Sequence, residues 1–293
     1  MLILLVMLMV VFFSFQSLFL RLYSIHYAGA DAAQSRPVFS ICYGMFIAAA
    51  SLMANGFSFS PSWQTWLLGL VNAGALLLYN ISMLEAGDRG SYSFLMIASM
   101  FGGILVPLAA GLLFLEEYLR PLQVFAVVLM LISLVVMNLK GISLKESSGA
   151  YYLWCALLFL SNGLYGTVMN LQTRMMRGAE RAEMLTILFF ASALAAALGE
   201  ALQKRGRQLA GGFRMGRRAA LFLLFCCISA TVAANLLLYV LPMMNSSVLY
   251  TVDNGGVLVL SICYSVILFH EKPQKMQILG MALAVLSIIL IEL

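Results

Sequence analysis

Charged side chains are so sparse along this chain that its uncharged stretches define the layout. Pro37 to Leu84 runs 48 residues without one charged residue. A hydrocarbon layer about 30 Å thick takes roughly 20 apolar residues per helical crossing, so this run holds two crossings. They are joined at Asn55 to Ser62, a Gly-, Pro-, Asn- and Ser-rich stretch that reads as a turn. Further uncharged runs cover Met1–Leu20, Gly90–Leu115, Pro121–Leu139, Ser147–Thr173, Met184–Gly199, Ala219–Val252, Asn254–Phe269 and Met276–Ile291. With the longest runs split at their turns, the pattern predicts ten crossings: 2–22, 37–55, 63–85, 91–115, 121–139, 150–173, 183–202, 218–241, 246–269 and 274–292. Pro37, Pro61, Pro121, Pro242 and Pro273 fall at the edges of these spans, where a missing N–H costs least. Pro107 alone lies inside one, and a kink is expected there.

Composition narrows the class. The chain is 63% hydrophobic and 10% charged, with a mean hydropathy of +0.98, which excludes an ordinary soluble domain. The net charge of +5 resides in short loops between spans, so it reads as a topology signal and not as a nucleic-acid surface. Cys42, Cys155, Cys226, Cys227 and Cys263 all sit in apolar runs, so neither a disulfide framework nor a metal site is expected. The first run lacks a basic leader and a cleavage motif, and is expected to stay as the first helix.

Laying the chain on itself with a shift of 155 pairs Asn80 with Asn235, Ser91 with Ser246, Phe114 with Phe269 and Glu116 with Glu271. With one residue dropped, Gln123 meets Gln277 and Ser133 meets Ser287. Matched polar residues at fixed spacing imply two similar halves of five spans, 1–140 and 141–293, integrated into one transport domain. Five is odd, so the second half enters the membrane from the opposite side. Such an inverted repeat is a transporter architecture, because oppositely oriented halves can open a central site to either face. The expected fold class is therefore all-α integral membrane, with ten transmembrane helices as two inverted five-helix repeats.

The segments Leu78-Tyr-Asn-Ile-Ser-Met-Leu-Glu-Ala-Gly87, Ser91-Tyr-Ser93, Leu113-Phe-Leu-Glu116 through Gln123, and the echo Leu268-Phe-His-Glu271-Lys-Pro273 resemble the drug/metabolite transporter superfamily, EamA-like branch. The resemblance covers essentially the whole chain and implies ten helices in two inverted repeats. It also implies a central substrate site and an acidic residue ending the fourth and ninth helices. The chain departs from the pattern at Leu115 and His270, where a glycine is usual.

Thirteen Lys and Arg residues fall on the side of the loops after spans 1, 3, 5, 7 and 9, against four on the other, which places both termini outside. The resemblance implies the reverse. The expected location is a plasma membrane of the bacterial inner-membrane type.

Asp253 is the one acidic residue well inside a crossing. An ionisable group there costs about 2.5–3.5 kcal/mol on insertion scales, so it should face a cavity or a partner. Tyr250, Asp253, Asn254, Val257, Ser261 and Tyr264 share one helical face. Similar stripes comprise Thr231, Asn235 and Tyr239; Asn72, Tyr79, Asn80 and Met83; Asn162, Tyr165, Met169 and Asn170; and Tyr92, Leu95, Ser99 and Gly102. Converging, they would line one pocket of tyrosines, amides and a carboxylate. Such a pocket suits a small polar or cationic organic solute. Asp253 is the candidate for binding a cationic group or carrying a coupling proton. No Lys or Arg lies deep in a span, which argues against strongly anionic substrates; Arg21 comes nearest.

Each feature also has a structural reading. Asn80 and Asn235 can serve helix contacts, Gly102-Gly103 and Gly255-Gly256 close packing, and Glu116 and Glu271 helix-end ion pairs. Trp63, Trp66 and Trp154 read as interfacial anchors. The leading functional expectation is a secondary transporter working by alternating access, whose partners are a small-molecule substrate and the bilayer. A channel-like facilitator is the alternative. Protease and hydrolase motifs and a Walker sequence are missing, which disfavours an intramembrane enzyme or an ATP-driven pump, and no cofactor is expected.

Overall fold

A computed structural model describes residues 1–27, 34–114, 116–139, 149–203, 206–270 and 272–292. In chain order the helices are α1 (Leu2–His26), α2 (Ser35–Ala54), α3 (Trp63–Gly87), α4 (Tyr92–Phe114), α5 (Pro121–Asn138) and α6 (Gly149–Met175). They continue as α7 (Arg181–Leu202), α8 (Gly206–Gly212), α9 (Arg217–Val240), α10 (Ser246–Phe269) and α11 (Lys275–Glu292). Among the described residues nine helices are long and apolar enough to cross a membrane, and α11 is a shorter apolar one. All ten expected spans are helical, so the chain is an all-α, multi-pass membrane protein. The seven-residue α8, in the basic stretch between spans 7 and 8, has no apolar period and was not legible beforehand.

Contacts divide the chain into two compact units, each drawn from both halves of the sequence. The first comprises Ile3–Leu77 with Gln172–Tyr239. In it α2 and α7 run antiparallel: Gly44 lies against the Phe189 carbonyl and Ala193, and Thr186 Oγ1 donates to the Ala48 carbonyl at 3.4 Å. Tyr23, Ala219, Leu223 and Cys227 form a buried cluster beside them, with Phe39 and Tyr43 packed against it.

The second unit comprises Leu78–Leu171 with Val240–Leu293. Here α5 and α11 run antiparallel, with Ser287 Oγ donating to the Ala126 carbonyl at 2.6 Å and Gly280 seated on Ser133 and Met137. In both units a helix packs on its own counterpart, α2 on α7 and α5 on α11.

The repeated glutamines do one job twice. Gln123 accepts the Arg120 backbone N–H at 3.1 Å, and Gln277 accepts that of Gln274 at 2.9 Å. Each is the third residue of its helix closing on the residue before the first turn, half of a capping box.

Two other helix starts are capped by acids from distant loops. Ser62 precedes α3, and its N–H and hydroxyl both donate to Glu180 Oε2, at 2.9 and 2.8 Å. At α10, Glu117 accepts the Ser246 N–H at 3.1 Å and the hydroxyls of Ser246 and Ser247. A carboxylate at a helix N-terminus satisfies orphan donors and complements the macrodipole.

Candidate functional site

Within the second unit the sequence builds a three-helix junction from small residues. Gly102 of α4 meets the backbone of Phe159 on α6, and Gly163 of α6 meets Val106 and the Gly102 carbonyl. No side chain fits at either point, so the two helices approach closely. Asn162 Nδ2 can then donate to the Ser99 carbonyl at 2.8 Å. A Cβ at Gly103 would lie 2.9 Å from Asn162 Nδ2 and 3.5 Å from the Asn254 amide, so Gly103 is where α4, α6 and α10 come together.

Pro107 adds a polar point to this junction. It sits inside α4 and has no N–H, so the Gly103 carbonyl, four residues earlier, loses its helical donor. The helix is continuous through this point, and the Gly103 carbonyl is left without its intrahelical donor.

On α10, the Tyr250 hydroxyl donates to the Gly166 carbonyl of α6 at 2.8 Å, and a Cβ at Gly166 would stand 3.1 Å from the tyrosine ring. Asn254 Nδ2 donates back to the Tyr250 carbonyl at 2.8 Å. Asp253 lies between them in sequence, within electrostatic reach of Tyr165 and Tyr250. Its Oδ1 is buried and meets no hydrogen-bond donor among the described residues. A buried carboxylate oxygen with no donor costs free energy unless something supplies one.

Ser99, Asn162, Tyr165, Tyr250, Asp253 and Asn254 all belong to this second unit. Tyr79 belongs to the same unit but packs on the cluster of Ala86, Leu95, Tyr151, Cys155 and Leu158. Asn80 is exposed, with no hydrogen bond among the described residues. The side chain of Tyr92 and residue Glu271 lie outside the described residues.

Asn235 and Tyr239 fall in the first unit. They line a cavity of about 730 Å³ with Asn55, Glu180, Arg181, Glu183 and Thr231. The Arg181 guanidinium lies 5.1 Å from the centre of the Tyr239 ring. Asn235 Nδ2 donates to Thr231 of its own helix at 2.8 Å, so its hydrogen bond is local and not the cross-helix contact considered above.

Three residues escaped the sequence reading. Arg181 looked like a loop charge yet lines a cavity. Glu117, and not Glu116, is the buried acid at the end of α4; it is 4% exposed, whereas Glu116 is exposed, with φ of 53° and no ion pair among the described residues. The repeat pairing had drawn attention to Glu116, and adjacent glutamates differ only in which way the chain turns. Glu180 was likewise invisible, because its partner Ser62 is 118 residues away.

Apolar helices long enough to cross a membrane, nine of them among the described residues, define a multi-pass membrane protein. The family model of the EamA-like transporter family matches residues 151–293, so the second half of the chain is similar to that family. A solved crystal structure of a protein 17% identical in sequence covers 99% of this chain and 96% of its own, with a TM-score of 0.72; that likeness is one of fold. No curated protein matches the sequence.

Proposed function

We infer that the protein is a secondary transporter, working by alternating access, for a small polar or cationic organic metabolite in the plasma membrane. The observation that carries this reading is the buried Asp253 Oδ1 without a donor, in a junction otherwise lined by amides and tyrosine hydroxyls. An ammonium group of a substrate, or a proton, supplies the missing donor. Tyr165 and Tyr250 offer ring faces to a cation, and Ser99, Asn162, Asn254 and the freed Gly103 carbonyl offer hydrogen bonds.

Exchange of a proton for the substrate at one carboxylate would couple the two fluxes, since each neutralises the same buried charge. The halves 1–140 and 141–293 supply the related conformations that alternating access needs.

A thermal-shift screen of amines, amino acids, nucleosides and drug-like cations on the purified protein tests the reading. A saturable rise with a cationic or polar solute, lost in Asp253→Asn, supports it. Hits confined to dianions contradict it.

A further inference from the structure

The cavity of the first unit contains a charge arrangement that the Asp253 junction does not use. Arg181 makes no ion pair among the described residues; its guanidinium rests over the Tyr239 ring, and the residue lines the cavity. Glu180 is committed to Ser62 and the start of α3. Glu183 gives one oxygen, Oε1, to Asn55 Nδ2 at 2.9 Å, and its other oxygen has no hydrogen bond among the described residues. One cation and one carboxylate therefore line the same space, and each lacks an ionic partner.

The position of this space matters as much as its charge. Its lining comes from the end of α2 (Ala54, Asn55), the start of α7 (Arg181 to Glu183) and the last turns of α9 (Thr231 to Tyr239). Helix ends mark the depth at which lipid headgroups lie. From Tyr239 to Thr231 the wall descends eight residues, about 12 Å at 1.5 Å per residue, past Leu236 and Val232. The cavity is thus charged at its mouth, and below it an apolar stripe of Val232 and Leu236 runs beside Thr231 and Asn235, whose donors are spent within α9.

We propose that this cavity is a binding site for a zwitterionic phospholipid with a primary ammonium, of the phosphatidylethanolamine type. Arg181 takes the phosphate, for which a guanidinium fork is suited. Glu183 takes the ammonium, whose N–H donors a quaternary ammonium lacks. The Val232 and Leu236 stripe of α9 takes the start of an acyl chain.

The test uses the full-length protein purified in detergent and four probes: dihexanoyl-phosphatidylethanolamine, the phosphatidylcholine and phosphatidylglycerol of the same chains, and O-phosphoethanolamine. Thermal unfolding is followed against probe concentration. The expected result is a saturable rise with the ethanolamine lipid that exceeds the other three. It should be lost in Arg181→Gln and in Glu183→Gln and kept in Asp253→Asn, which separates this site from the transport reading. Equal rises with all three lipids, or retention of the rise in Arg181→Gln, overturn the proposal. A rise with O-phosphoethanolamine equal to that with the lipid overturns the assignment to lipid and makes the ligand a soluble zwitterion. Should Glu183→Gln unfold, Arg181→Gln and the phosphatidylcholine comparison decide alone.

Discussion

Ser287 of α11 donates its hydroxyl to the Ala126 carbonyl of α5 at 2.6 Å. Carrying both residues through the internal repeat turns Ala126 into Gly280 and Ser287 into Ser133, and Gly280 does sit on Ser133: a Cβ there would lie 2.9 Å from the Ser133 carbonyl oxygen. Residue i meets j while the counterpart of i meets the counterpart of j, which is the mark of a two-fold contact. The packing of these two helices thus follows the residue pairing of the sequence repeat.

This contact should be intolerant of added volume on both sides of the pseudo-axis. Gly280→Ala is expected to cost about 1–3 kcal/mol by overpacking, and Ala126→Leu a similar amount. Ser287→Ala, which removes only a hydrogen bond, should cost about 0.5–1.5 kcal/mol. Unfolding in a defined detergent measures all three; a neutral Gly280→Ala would contradict the close approach.

Gly166→Ala isolates the position of Tyr250 from the stability of the bundle. The new methyl would stand 3.1 Å from the ring and 3.3 Å from the hydroxyl, displacing the donor that now reaches the Gly166 carbonyl. Substrate affinity should fall several-fold, while unfolding shifts by no more than about 1–3 kcal/mol. Titration of a bound solute by thermal shift reads the first quantity and unfolding reads the second.

Glu117 is expected to be worth more as a charge than as a shape. Glu117→Gln keeps an acceptor for the Ser246 N–H but loses the charge-assisted bonds to two hydroxyls, at about 1.5–3 kcal/mol. Glu117→Ala should cost more still, because the first turn of α10 loses its cap. Equal costs for the two variants would show that the carboxylate is not the cap.

Glu180 gives a pH dependence with a definite sign. Burial opposes its charge, but hydrogen bonds from Thr65 and from the Ser62 N–H and hydroxyl outweigh that and hold the carboxyl below its ordinary value of 4.5. The unfolded chain then binds the proton more readily, so the stabilisation is fully present above about pH 4.5. It is lost as pH falls through the folded value. As pH falls from about 5 to about 3 the wild type should lose more unfolding stability than Glu180→Gln does. Parallel pH profiles would remove Glu180 from the cap of α3.

Most of the architecture was legible because membrane burial leaves a blunt signal. Uncharged runs marked all ten spans, and Gln123 and Gln277, paired in sequence, cap their helices in the same way. On α10, Tyr250, Asp253 and Asn254 followed from helical spacing, since residues three and four apart share a face. Which stripes share a unit was not legible: Asn162 and Asn235 look alike in sequence, yet one crosses to α4 and the other bonds within α9. Helix rotation and loop path decide such contacts, and neither is encoded in polarity alone. Glu117 and Arg181 were hidden for the same reason, as loop charges whose direction depends on turns such as the positive-φ residues Glu116 and Glu180.

The role given to Asp253 is tested most directly by substrate uptake into liposomes carrying wild type or Asp253→Asn, measured across a range of pH with a solute found by thermal shift. The account expects saturable, trans-stimulated uptake by the wild type, and loss of that uptake or of its pH dependence in the variant, which should still fold. Uptake by Asp253→Asn that matches wild type at every pH would contradict it and make the buried carboxylate a structural group.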